Sequence, residues 1–102
     1  MAPQADAPPP ALTFFAAMPD ITIYTSDRCS FCDRAKGLLE ARGAAYDEIH
    51  LDRSDTESFV RLAKLTGHYT VPQIFVGGTH VGGFTELHAL DRAGMLAEML
   101  SR

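Results

Sequence analysis

Cys29-Ser30-Phe31-Cys32 holds the only two cysteines of the chain. The pair follows a β-branched run, Ile21-Thr22-Ile23-Tyr24-Thr25, and opens a segment with helical periodicity. Thiol chemistry runs through the thiolate, and a helix N-terminus stabilises one with unpaired N–H groups and the positive end of its macrodipole. The placement therefore points to Cys29 as an activated nucleophile. Cys32, one turn further into the helix, is expected to be less exposed and to hold its proton more tightly. Plainer readings stand beside this one. A structural disulfide across so short a loop would constrain the unfolded chain by only about 2 kcal/mol. A closed zinc site needs four ligands at short spacing, whereas His50, His68, His80 and His88 are scattered. Two buried, inert cysteines are a further alternative, although the strand, pair and helix context favours redox work.

Periodicity supplies the elements that would hold such a pair. Ile21–Thr25 reads as a buried strand, and 30–42 as a helix with Phe31, Ala35, Leu38 and Leu39 on one side, stopped by Gly43. The stretch 45–51 reads as a second strand with Tyr46, Ile49 and Leu51 as its apolar positions. Ser54-Asp55-Thr56-Glu57 is a capping box for a second helix presenting Phe59, Leu62 and Ala63 and ending at Gly67. The pattern then changes period: 71–76 is a strand, Gly77-Gly78 a two-residue hairpin signal and 79–81 the return. Pro72 is tolerable at the start of its strand. Thr85 is the expected cap of one last helix bearing Leu87, Leu90, Ala93, Leu96, Ala97 and Leu100. The order β-α-β-α-β-β-α, with a right-handed crossover and a hairpin, predicts an α/β fold with a mixed four-stranded sheet flanked by helices.

At 102 residues the chain predicts one folded domain, 20–102, preceded by a Pro/Ala-rich leader, 1–19, expected to be disordered. The first ten residues contain four prolines and three alanines, and no Lys or Arg precedes Arg28, which argues against secretory and mitochondrial presequences. Met18, immediately before the first strand, is expected as an alternative translational start. The net charge of −4 argues against nucleic acid or an anionic membrane as the main partner, since both need a cationic face. No apolar run is long enough to span a bilayer. Two close cysteines without a disulfide framework suggest a reducing, cytoplasmic setting, with small molecules or proteins as partners.

With Cys29-Ser30-Phe31-Cys32 after the first strand, Thr70-Val71-Pro72 before the third and Gly82-Gly83-Phe84 before the last helix, the chain from Asp20 to Arg102 resembles a glutaredoxin of the thioredoxin-fold superfamily. It is most similar to the small bacterial members along Thr70-Val71-Pro72-Gln73-Ile74-Phe75. The resemblance implies a glutathione-dependent thiol–disulfide oxidoreductase. In it, Cys29 attacks glutathione mixed disulfides or protein disulfides, and Cys32 resolves. It also implies a cis-proline at Pro72, with the Thr70-Val71 backbone reading glutathione as an added strand. Gly83, Phe84 and Thr85 would receive the γ-glutamyl carboxylate at a helix N-terminus. The expected partners are glutathione and glutathionylated or disulfide-containing proteins, met by a monomer.

Several positions depart from the family pattern. Pro and Tyr, usual between the cysteines, are replaced by Ser30 and Phe31: Phe31 keeps an aromatic wall beside glutathione, and Ser30 restores an N–H to the first turn. In some relatives a Ser there accompanies a glutathione-ligated [2Fe-2S] cluster between two subunits, which makes Cys29 a candidate cluster ligand and a dimer the cluster-bound state. Ser26 stands where many relatives have Lys, leaving Arg28 as the nearest cation, either a substitute or a solvated surface residue. His68 stands near an Arg position, and Thr85 replaces an Asp, with Glu86 close enough to compensate. A thioredoxin-like reductase is the enzyme rival, but this chain has no Trp and lacks the Gly-Pro insert typical of that group.

Overall fold

The computed structural model describes residues 20–101, so the expectations for 1–19 lie outside the described residues. Within them, β1 (Ile21–Ser26), α1 (Ser30–Ala41), β2 (Asp47–Leu51), α2 (Thr56–Thr66), β3 (Gln73–Val76), β4 (Thr79–Gly82), α3 (Phe84–Arg92) and α4 (Met95–Leu100) follow in order. The sheet runs β2-β1-β3-β4. β1 pairs parallel with β2 and antiparallel with β3, and β3 pairs antiparallel with β4. This is the mixed four-stranded α/β arrangement expected from the sequence.

The core forms where the central strands meet the inward stripes of the helices. Ile21 and Ile23 of β1 face Val76 and Ile74 of β3 in register. Ala35 and Leu39 of α1, Leu87 of α3 and Leu96 of α4 complete the cluster, and Ile23, Leu39, Ile74, Leu87 and Leu96 are wholly buried. Burying each such aliphatic chain contributes about 1.5–3 kcal/mol. At the far end of α1, the Arg42 guanidinium grips Asp91 of α3 bidentately at 2.7 and 2.8 Å. Gly77 and Gly78 have φ of 58° and 84° between the paired residues Val76 and Thr79. Positive φ at both central positions is what a type I′ hairpin demands, and glycine meets it without strain.

Four local expectations are corrected. Ser54 is not the cap of α2: the Asp55 side chain accepts from the Ser58 N–H, while the Ser54 hydroxyl donates to Asp52. The last helix is two, because Gly94 turns left-handed (φ 77°) and starts α4 afresh. β2 is a sheet edge and mostly exposed, so Ile49, one of its expected apolar positions, is 41% exposed. Phe31 leaves the apolar side of α1, where Cys32, Ala35 and Leu39 form the buried stripe, and stands 51% exposed beyond the end of the core.

Candidate active site

The geometry around the cysteines follows from where α1 begins. Cys29 is its N-cap, in an extended backbone conformation, and the Cys32 N–H donates to Cys29 Sγ at 3.1 Å. A sulfur in this position accepts one of the orphan donors of the first turn, and a thiolate accepts it more strongly than a thiol. The donor is Cys32, not Ser30, whose restored N–H was the expected addition. The two sulfurs are paired as a disulfide with Cα atoms 5.2 Å apart. Cys29 is half-buried and Cys32 is buried, 1% exposed. Only the first sulfur of the pair is open to a large partner.

The short loop into Cys29 is held from the edge strand and the turn after it. The Ser26 hydroxyl donates to the Leu51 carbonyl at 2.7 Å, so Ser26 is spent on structure and supplies nothing in place of a cation. Asp27 is gripped twice: its carbonyl accepts from Arg53 Nε at 2.8 Å, and its carboxylate lies 2.8 Å from His50 Nε2. The other ring nitrogen of His50 lies 3.2 Å from the Thr25 hydroxyl, which itself donates to Glu48 at 2.6 Å. That bond, aided by Lys36 at 3.1 Å, holds the Glu48 carboxyl below the usual carboxylate range despite some burial. Between these anchors Arg28 is exposed and takes a left-handed backbone (φ 52°), which costs a non-glycine residue roughly 1 kcal/mol and recurs at functional sites.

Across from Cys29, the Val71–Pro72 peptide bond is cis and the Val71 carbonyl oxygen lies 3.7 Å from Cys29 Sγ. Pro72 is buried, Val71 half-buried and Thr70 exposed. A groove of about 270 Å³ runs from His68 and Thr70 past Pro72 to Gly82, Gly83 and Glu86. Gly82 has φ of 122°, and a Cβ there would come within 2.9 Å of the Glu86 side chain, so a side chain at this position is both strained and obstructed. On the other side of the cysteines the Phe31 ring lies 6.2 Å from Phe84, with the Arg34 guanidinium 5.3 Å from the Phe31 centroid. Phe84 in turn stacks on His88 at 5.5 Å.

At the start of α3 the expected cap is replaced. Gly83 is the N-cap and Thr85 is an exposed second helical residue. The Glu86 carboxylate reaches back and accepts from the Gly83 N–H at 2.7 Å. The Phe84 and Thr85 N–H groups remain without an intrahelical partner. Cys29 thus meets Val71, Phe31 meets Phe84, and Thr70, Pro72 and Gly83 share the groove. His50, Arg53, Gln73 and His80, to which the sequence reading gave no part in the site, lie among the supports. Among the described residues no group of three or more His, Cys, Asp or Glu is placed to hold a metal ion.

Comparison with known proteins gives one answer. The family model described as glutaredoxin matches residues 21–81. A glutaredoxin of Pseudomonas aeruginosa is 49% identical over 84 residues, covering 82% of this chain and 99% of the relative. Glutaredoxin 3 of Escherichia coli K12 is 39% identical over 83 residues, covering 81% and 99%. Among solved structures, the buckwheat glutaredoxin–glutathione complex superposes with a TM-score of 0.74 at 31% identity, covering 80% of this chain and 76% of that one. The solution structure of a Brucella melitensis glutaredoxin gives 0.73 at 40% identity, covering 83% and 91%.

Proposed function

This chain belongs to the glutaredoxin family of thiol–disulfide oxidoreductases, and we propose that its reductant is glutathione and that Cys29 and Cys32 divide the chemistry between them. One observation carries the reading: Cys29 Sγ caps α1, accepts the Cys32 N–H at 3.1 Å and lies 3.7 Å from the Val71 carbonyl beside the cis Val71–Pro72 bond. A sulfur so placed is stabilised as thiolate and has a free backbone edge next to it, the two things a peptide-borne disulfide needs.

In the proposed cycle the Cys29 thiolate attacks the glutathione sulfur of a mixed disulfide. A Cys29–glutathione bond forms, the substrate sulfur leaves with the electron pair, and it takes a proton from water. A second glutathione thiolate then attacks that bond, yielding glutathione disulfide and restoring Cys29. On a protein disulfide, Cys29 forms the mixed disulfide with the protein and Cys32 displaces it, leaving the Cys29–Cys32 disulfide and a reduced substrate dithiol. The glutathione backbone pairs with Val71, Phe31 walls the groove, Arg28 faces the glycine carboxylate, and the Phe84 and Thr85 N–H groups take the γ-glutamyl carboxylate. Thr70 and Gly83 line the path between. The buckwheat glutaredoxin, solved with glutathione, supports a glutathione site in this fold. The protein works as a monomer in the cytoplasm, where glutathione keeps thiols reduced.

The test is a coupled assay with a glutathionylated peptide, glutathione and glutathione reductase. Turnover that requires glutathione is expected; equal turnover with thioredoxin reductase as the electron source would refute the reading. Anaerobic reconstitution with iron, sulfide and glutathione tests the cluster alternative raised by Ser30, and a colourless monomer would rule it out.

A further inference from the structure

Gln73 follows Pro72 directly and is 2% exposed, yet its side chain is polar. One end of its carboxamide faces two carbonyl oxygens, those of His68 and Thr70, each at 2.9 Å. Carbonyls only accept, so that end is the NH2 and both of its protons are committed. The other end, Oε1, meets Nε2 of His80 at 3.1 Å, so this ring nitrogen carries a proton and donates it. The His80 ring stacks on His68 at 5.6 Å and packs on Phe75 at 5.0 Å. His68 O is shared with the Thr66 hydroxyl at 3.3 Å, whereas Thr70 O relies on Gln73.

Residues 67–72 belong to no helix or strand, so no ladder holds the segment that carries Val71. We infer that Gln73 and His80 are positioning residues: together they strap the 68–71 loop to the β3–β4 hairpin and hold the Val71 backbone edge beside Cys29 Sγ. Neither touches the reacting sulfurs. The inference rests on the glutathione reading above and extends it to the residues that keep the groove in register. His68 and Thr70 are exposed, so water replaces the lost donor when Gln73 is changed. The loop then loses its position while the fold survives.

The test is steady-state kinetics of Gln73→Met, which keeps length and volume but has no donor, and of His80→Phe, which keeps a ring but loses the N–H. With a glutathionylated peptide, KM should rise about tenfold for Gln73→Met, the loss of one to two hydrogen bonds. It should rise about threefold for His80→Phe. In both, kcat should stay within about twofold and alkylation of Cys29 should be unaltered, because the thiolate is stabilised elsewhere. An unchanged KM in the folded variants would overturn the inference. So would a fall in kcat at constant KM, which marks a contact made only in the transition state or a loss of active enzyme. If Gln73→Met does not fold, His80→Phe alone decides on the same criteria. A wild-type protein that reduces a cysteinylated peptide as readily as a glutathionylated one would overturn the glutathione reading instead, a result separable from either variant's.

Discussion

Unfolding the reduced protein removes every influence on the Cys29 thiol at once, and the size of the change follows from the cap. The N–H of Cys32 lies 3.1 Å from Cys29 Sγ. A hydrogen bond to a charged acceptor is worth about 1.5–3 kcal/mol. At about 1.4 kcal/mol per factor of ten, the folded protein holds about ten- to a hundredfold more Cys29 thiolate than the unfolded chain at about pH 6 and below, where neither state is mostly ionised. Each tenfold gain lowers intrinsic nucleophilicity about threefold, so the net gain in rate is about three- to tenfold. Iodoacetamide at pH 6, with mass mapping of the two cysteines in buffer and in urea, reads this directly. Cys29 should label faster folded than unfolded, and Cys32, 1% exposed, should label more slowly. Labelling of Cys32 first, or no folded-state gain at Cys29, would refute the reasoning. Ser30→Pro sharpens the test: proline is tolerated at the first helical position and the donor to Cys29 is one turn away, so the rate should change by less than about twofold. A tenfold drop would mean that the Ser30 N–H, not that of Cys32, governs the thiolate.

Other outcomes follow from the same geometry. Cys32→Ser should keep deglutathionylation and lose reduction of protein disulfides, and Cys29→Ser should lose both; equal loss in the two variants would contradict the division of roles. The Tyr46 hydroxyl donates to Glu40 at 2.6 Å, which pushes its pKa up to about 12, with burial adding to the effect. Its contribution to stability is thus complete below the ordinary tyrosine value and is lost as pH rises from about 10 to about 12; ultraviolet titration should show this late phenol, and Glu40→Gln should shift it down. Leu39→Ala removes a wholly buried side chain shared by α1, the sheet and α3, and should cost about 2–5 kcal/mol, read as a drop in Tm of roughly 10 °C or more.

What could be read in advance was whatever local chemistry dictates. The β-branched run before Cys29 gave its strand, and Gly77-Gly78 gave its hairpin because two consecutive positive φ values leave few other residues. The boundaries that failed were contests between near-equal signals: Ser54 and Asp55 are both good caps, and the apolar spacing of Leu87 to Leu100 continues across Gly94, where the backbone does not. Phe31 keeps a helical phase with Ala35, but the core ends before its turn begins. The supports of the site lie further out of reach. His50 meets Asp27 from 23 residues away and Arg53 meets it from 26, contacts that exist only because β2 lies beside β1. Gln73 and His80 look like ordinary strand residues until the hairpin faces them. Such pairings are properties of topology, and a single sequence carries no periodic mark of them.

The Glu86 carboxylate on the Gly83 N–H bears on how an anion arrives. The mouth of α3 holds a resident negative charge on a chain of net charge −4, so little long-range field draws an anionic tripeptide inward. Selection there falls to the last few ångströms, to the Phe84 and Thr85 N–H directions and the backbone edge at Val71. Capture of this kind is governed by fit after collision, and its association rate should rise slightly, not fall, as salt screens the like charges.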